Sequence, residues 1–161
     1  MIWKTLTAWY RTHGRDLPWR RTDDPYRIAV SEFMLQQTQV DRVVPLYPAF
    51  LKAFPSWKAL AAAPQADVVR AWKGLGYNMR AVRLKKLAEG VVGSFGGKLP
   101  SDEEALLGLH GIGPYTARAL RVFAFRQKAL APDTNLRRVL TRVFKGPKAD
   151  PKAFDARAWT R

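Results

Sequence analysis

Apolar positions recur every three or four residues along most of the chain, and the strict alternation that marks a half-buried strand is nearly absent, so the pattern predicts an all-α protein. Ile2, Leu6, Trp9 and Tyr10 open the chain at helical spacing; the stretch 13–25, with Gly14, Pro18 and Pro25, ends this first short helix. A second helix is expected over 26–37. A third is expected over 40–54, interrupted or restarted at Pro45 and Pro48, because an internal proline removes a hydrogen bond and crowds the preceding turn. Pro55, Pro64 and the pair Gly74 and Gly76 then divide short segments. A longer helix over 79–94 carries Val82, Leu87, Val91 and Val92 as its core stripe, with Arg80, Arg83, Lys85 and Lys86 largely outside, and Gly96 and Gly97 end it.

Ser101 followed by Glu104 fits a capping box for a helix over 102–109. Pro114 suits the first turn of a helix to about Phe125, and Asp133 is a natural cap for one over 134–144. Many short helices with tight links imply an array of helices rather than a long bundle. No repeat of 20 to 50 residues and no low-complexity tract changes this picture.

Composition adds a partner. The chain has 161 residues, 47% apolar and 25% charged, which excludes a wholly disordered or collagen-like protein. Its net charge of +15 predicts a polyanion as partner, nucleic acid first and an anionic membrane second. No apolar run approaches the roughly 20 residues that span a bilayer, and no signal-peptide order opens the chain, so the expectation is an intracellular protein. There is no cysteine, which excludes disulfides, zinc thiolate sites and a cysteine-held iron–sulfur cluster within these residues; with His13 and His110 as the two histidines, no metal site is expected.

The positive charge is concentrated. Between Pro114 and Lys148 stand nine cations, Arg118, Arg121, Arg126, Lys128, Arg137, Arg138, Arg142, Lys145 and Lys148, against Asp133 as the sole acid. This segment reads as a phosphate-facing surface, the alternative being a solvated basic face. Just before it, the turn holding Gly111 and Gly113 separates two expected helices. Paired glycines admit unusual φ values and close backbone approach, and the following helix N-terminus favours an anion. With Thr116 and the arginines that follow, Arg118 first, the run from Leu109 to Leu120 resembles a helix-hairpin-helix DNA-binding element.

Two carboxylates invite complementary roles. On a helix, Glu32 shares a face with Ile28, Ala29, Leu35 and Gln36, and an apolar surround raises a carboxyl pKa. An acid kept protonated near neutrality is what cleavage of an N-glycosidic bond needs, because a base leaves poorly as an anion. The alternative is an exposed helical glutamate paired with an arginine. Asp133 has cations around it and a helix N-terminus beside it, which favour the ionised form; a carboxylate there stabilises an oxocarbenium-like sugar, or is simply a helix cap.

The run from Pro25 to Val40, PYRIAVSEFMLQQTQV, is the most specific text in the chain. With LPWR at 17–20, GLGY at 74–77, GIGPYTA at 111–117 and PDTNLRRVL at 132–140, it resembles the MutY-type adenine DNA glycosylases of the helix-hairpin-helix superfamily, over almost all of the chain. The resemblance implies Glu32 as the acid and Asp133 as the carboxylate, with Asn135 orienting it; Thr134 stands where that family has glycine. It implies a monofunctional hydrolase, since Tyr115 occupies the place of a Schiff-base lysine in the lyase branch. A tyrosine there is also found in a related thymine-mismatch branch. Gln37 and Tyr77 become wedges entering the duplex, and Arg15, Trp19, Arg20 and Leu35 contributors to an adenine pocket.

The same resemblance divides the chain into an N-terminal helix and linker (1–21), a six-helix domain (22–130) and the start of a second helical half (131–161). Relatives continue with a four-cysteine iron–sulfur loop and a domain for the opposite base, so a missing region or second chain is expected to complete the helices, and Ile2, Trp3, Leu6 and Trp9 to lose part of their cover. The partner is double-stranded DNA with a mismatched or lesion-paired base. The function expected is removal of adenine opposite 8-oxoguanine or guanine; thymine removal from T:G pairs and a catalytically silent DNA-binding module are the alternatives.

Overall fold

The computed structural model describes the backbone of residues 2–151 and the side chains of 4–151. Ile2, Trp3 and the segment 152–161, for which cover and a second-domain role were expected, have side chains outside the described residues. The described residues are helical throughout, with no strand: α1 (Ile2–His13), a 3-10 turn (Pro18–Arg20), α2 (Pro25–Leu35), α3 (Val40–Ala53), α4 (Trp57–Ala62), α5 (Gln65–Ala71), α6 (Met79–Phe95), α7 (Glu103–Leu107), α8 (Pro114–Phe123) and α9 (Thr134–Lys145).

Helix α2 is the centre of the molecule. Asp24 caps it by accepting from Tyr26 N, and Pro25 occupies its first turn, where a missing N–H costs nothing. Tyr26, Ile28, Ala29, Val30, Phe33 and Met34 are all buried, so the helix is apolar nearly all round, as a helix enclosed by others must be. It packs on α3, α6 and α8, and α4 packs along α6. One continuous apolar core runs from Tyr26 to Ala124; α9 builds a separate small cluster of Leu140 with Leu130 and Leu136.

Several elements differ from the sequence expectation. Helix α3 runs uninterrupted through Pro45 and Pro48, because both prolines lie on its exposed face, where the carbonyls they leave without a donor meet water, while Val43, Tyr47 and Phe50 hold the buried face. Asp102, not Ser101, caps α7, accepting from Ala105 N at 2.9 Å, and α7 stops at Leu107. The buried stripe of α6 is Arg80, Ala81, Leu84, Lys85, Leu87, Ala88 and Val91. Two cations placed outside by their charge are therefore inside. Lys85 lays its stem along the core and donates its ammonium to Ala61 O at 2.8 Å and to Glu89 at 2.6 Å.

The turn from α7 to α8 depends on one glycine. Gly111 has φ +82°, and a Cβ there would stand 3.3 Å from the Phe33 ring and 3.4 Å from Arg83 Cβ. Its close approach is thus to the molecule's own core. Gly113 is extended and caps α8, a conformation open to other residues.

Candidate active site

Helix α2, the loop before α6, the N-terminus of α8 and the N-terminus of α9 converge on a cleft of about 1160 Å³. Its walls include Glu32, Leu35, Gln37, Tyr77, Tyr115 and Asp133, six residues expected at the site from sequence, together with Gln36, Asn78, Met79, Arg80, Arg83, Thr134 and Arg137. The volume is sufficient for a nucleoside.

Glu32 projects from the last turns of α2. Burial pushes its pKa up from the ordinary 4.5 to about 7; a hydrogen bond from the Tyr115 hydroxyl opposes this, and the negative charge of Asp133 adds to it. The carboxyl group is thus divided between acid and anion near neutrality. Tyr115 itself is shifted well above the usual phenol range, by burial first and then by the charges of Glu32 and Asp133, so it remains a phenol and a hydrogen-bond donor. All three groups line the cleft, so α2, α8 and α9 bring them to one place.

Asp133 is an exposed residue in front of α9, extended at φ −70° and ψ 178°. Its carboxylate accepts from Leu136 N at 2.6 Å, the bond that satisfies a free amide of the first turn. The cap and the site function are therefore compatible readings of the same carboxylate: one oxygen binds the helix end and the group still lines the cleft. The Leu136 amide holds it from the helix side, and Asn135, expected to orient it, is exposed and lies outside the cleft lining. Thr134 serves in place of glycine because the backbone there is ordinary helix, with no positive φ.

Gln37 and Tyr77 stand at the mouth. Both adopt left-handed backbone, φ 55° and 48°, and Tyr77 is 65% exposed. The turn at Gln37 ends α2 two residues before the expected boundary. Arg15, Trp19 and Arg20 lie outside the lining: Trp19 packs edge-on against Tyr47 at 5.4 Å, and Arg20 donates to Arg15 O at 2.9 Å. The 3-10 turn carrying Trp19 and Arg20 is held on the flank of α2. Thr116 is buried, and Arg118 is turned onto Glu103 at 3.2 Å, with Arg121 bonded to the same carboxylate. That partner lies on α7, ahead of the basic segment that begins at Pro114. The exposed part of the basic segment is Arg126, Lys128, Arg138, Arg142, Lys145 and Lys148.

Three guanidinium groups also stand at the cleft: Arg137, one of the nine cations of the basic segment, and Arg80 and Arg83, which the sequence placed only on the outside of α6. For Arg80 a signal existed: it falls four, seven and eleven residues before Leu84, Leu87 and Val91, on the buried face of α6. No ligand set for the iron–sulfur cluster implied by resemblance is present, since the chain has no cysteine and, among the described residues, no three acidic or histidine side chains gather. No helix among them is long and apolar enough to cross a membrane.

These features agree with what the chain is similar to. The HhH-GPD superfamily base excision DNA repair proteins match residues 30–161, and the chain belongs to that family. It is 46% identical over 157 residues to the adenine DNA glycosylase of Mycolicibacterium smegmatis, an alignment covering 97% of this chain and 52% of that protein. The thymine-DNA glycosylase of Aeropyrum pernix is 38% identical over 159 residues, covering 94% of this chain and 71% of that one. A solved thermostable thymine-DNA glycosylase superposes with a TM-score of 0.85 at 33% identity, covering 94% of this chain and 69% of that one. The chain spans about half the length of the adenine DNA glycosylases of Mycolicibacterium smegmatis and Mycobacterium tuberculosis that it matches.

Proposed function

We propose that this chain carries the catalytic cleft of a monofunctional DNA glycosylase that releases adenine mispaired with 8-oxoguanine or guanine from double-stranded DNA. The observation that carries the reading is the convergence of Glu32, with its pKa raised to about 7, and Asp133 on one cleft large enough to admit a nucleoside. In this reading Glu32 gives its proton to a ring nitrogen of the extruded base. The glycosidic bond then breaks with its electron pair on the base, which leaves neutral. Asp133 faces the oxocarbenium-like sugar and stabilises its charge. Water adds hydroxide to the sugar carbon, and its proton returns to a carboxylate, restoring the site. Tyr115 holds Glu32 by its hydrogen bond, and a phenol forms no Schiff base, so strand cleavage is not part of the cycle. Gln37 and Tyr77 fill the place of the extruded base, and the exposed cations meet phosphate.

The test uses a labelled duplex with adenine opposite 8-oxoguanine, followed by alkali. Cleavage at the adenine is expected, and Glu32→Gln should abolish base release while duplex affinity stays within about twofold; undiminished release by Glu32→Gln would remove the acid from the mechanism. Tyr115 and the likeness to thymine-DNA glycosylases favour a second reading, thymine removal from T:G pairs. Running that duplex alongside separates the two, and binding without turnover on either would leave the silent module.

A further inference from the structure

Arg80 is 5% exposed and shares the N–H groups of its two terminal nitrogens among six acceptors. One terminal nitrogen donates to Phe33 O at 3.0 Å and Met34 O at 2.9 Å, and also to Gln36 O. The other donates to Thr38 Oγ1 at 2.8 Å, Leu75 O at 2.9 Å and Gly76 O at 3.0 Å. The first set are carbonyls that the end of α2 leaves without partners. In the second set Leu75 and Gly76 belong to the loop before α6 and Thr38 to the turn after α2, and Thr38 closes the ring by donating to Leu75 O at 3.2 Å. The guanidinium also lies 5.6 Å from the centre of the Tyr77 ring and 5.7 Å from that of buried Trp72.

The acceptors have a pattern. Gln36 and Thr38 flank Gln37, and Gly76 precedes Tyr77. Those two residues are in left-handed backbone, a conformation that side-chain-bearing residues keep only when their surroundings over-determine it. Arg80 supplies that determination to both at once, from a planar fork that lysine lacks.

Resting on the glycosylase reading, we propose that Arg80 is the positioning residue that fixes Gln37 and Tyr77 relative to each other, and that its contribution falls on extrusion of the base, before bond cleavage. The experiment places 2-aminopurine, dim when stacked and bright when extruded, at the adenine position of the duplex. The host is the Glu32→Gln chain, so that the base stays attached. In that background Arg80→Lys should reduce the extruded fraction on the order of tenfold, with helical circular dichroism and duplex affinity nearly unchanged. Thr38→Val, which keeps volume and removes one acceptor, should reduce it about threefold and serves where Arg80→Lys does not fold. Both effects should vanish when Gln37→Ala and Tyr77→Ala are also present. Undiminished extrusion in the folded variants, or an equal loss in the chain without the Gln37 and Tyr77 side chains, overturns the proposal. No brightening with the Glu32→Gln chain alone overturns the glycosylase reading beneath it.

Discussion

Helices α2 and α9 each deliver one carboxylate to the cleft, yet they are held in opposite ways. Seven side chains of α2, from Tyr26 to Met34, are at most 3% exposed, and three other helices enclose it. Helix α9 buries Leu140 and Thr141, while Val139 and Val143 are each 55% exposed and Phe144 51%. Glu32 thus stands half-buried on a helix set in the packed interior, and Asp133 stands exposed at the start of a helix that buries little among the described residues. The difference suits the two roles proposed for them: a proton donor needs exclusion of water, whereas a carboxylate facing a developing cation needs to remain charged.

The comparison is broken most strongly by cutting into the packed side. Phe33 is 1% exposed and its ring abuts Gly111 of the α7–α8 turn. Phe33→Ala should cost about 3–5 kcal/mol through lost transfer energy and the cavity left behind. Val143→Ala on α9 should stay within about 0.5 kcal/mol, because little is buried there. Chemical denaturation of the two variants measures both, and similar losses would erase the distinction between the helices.

Protonation of Glu32 sharpens it. Its pKa is raised in the folded chain, so the folded state binds the proton more tightly than the unfolded one. The stability it confers is complete below about pH 4.5 and is lost as pH rises to about 7, by about 3 kcal/mol in total. Glu32→Gln should remove that slope and leave the variant more stable than the parent above pH 7. Unfolding midpoints across pH 4 to 8 check this; parallel curves for parent and variant would mean that Glu32 is not desolvated. Base release should decline over the same upper range as the acid form disappears.

Much of this site was legible because its parts are local. The capping aspartate before α9, the proline opening α8 and the glutamate on an apolar helix face are each decided by neighbours within a turn or two. What escaped depends on distant partners. Charge alone put Arg80 and Lys85 outside, although the spacing of Arg80 to Leu84 and Leu87 marks the inner face; carbonyls of α2, and for Lys85 that of Ala61, are what make burial tolerable. Arg118 and Arg121 read as part of a basic surface until α7 brings Glu103 against them. Pro45 and Pro48 read as breaks because which face they occupy is set by the packing of α3 on α2. The convergence of Glu32 and Asp133 itself came from resemblance, since no periodicity joins α2 to α9.

The smallest expected effect separates the two duties of Asp133. Its bond to Leu136 N needs an oxygen acceptor, and its proposed work at the sugar needs a negative charge. Asp133→Asn keeps the acceptor and should leave stability within about 0.5 kcal/mol, while base release falls by orders of magnitude. Asp133→Ala removes both and should cost about 1 kcal/mol, confined to α9 because that helix shares so little core with the rest. Amide exchange locates the loss: faster exchange at the start of α9 with α2 unchanged fits this division. A loss spread equally through α2 would show the two helices to be one cooperative unit, and the contrast between a sheltered acid and a lightly anchored anion would then lie in chemistry alone, not in how firmly each is held.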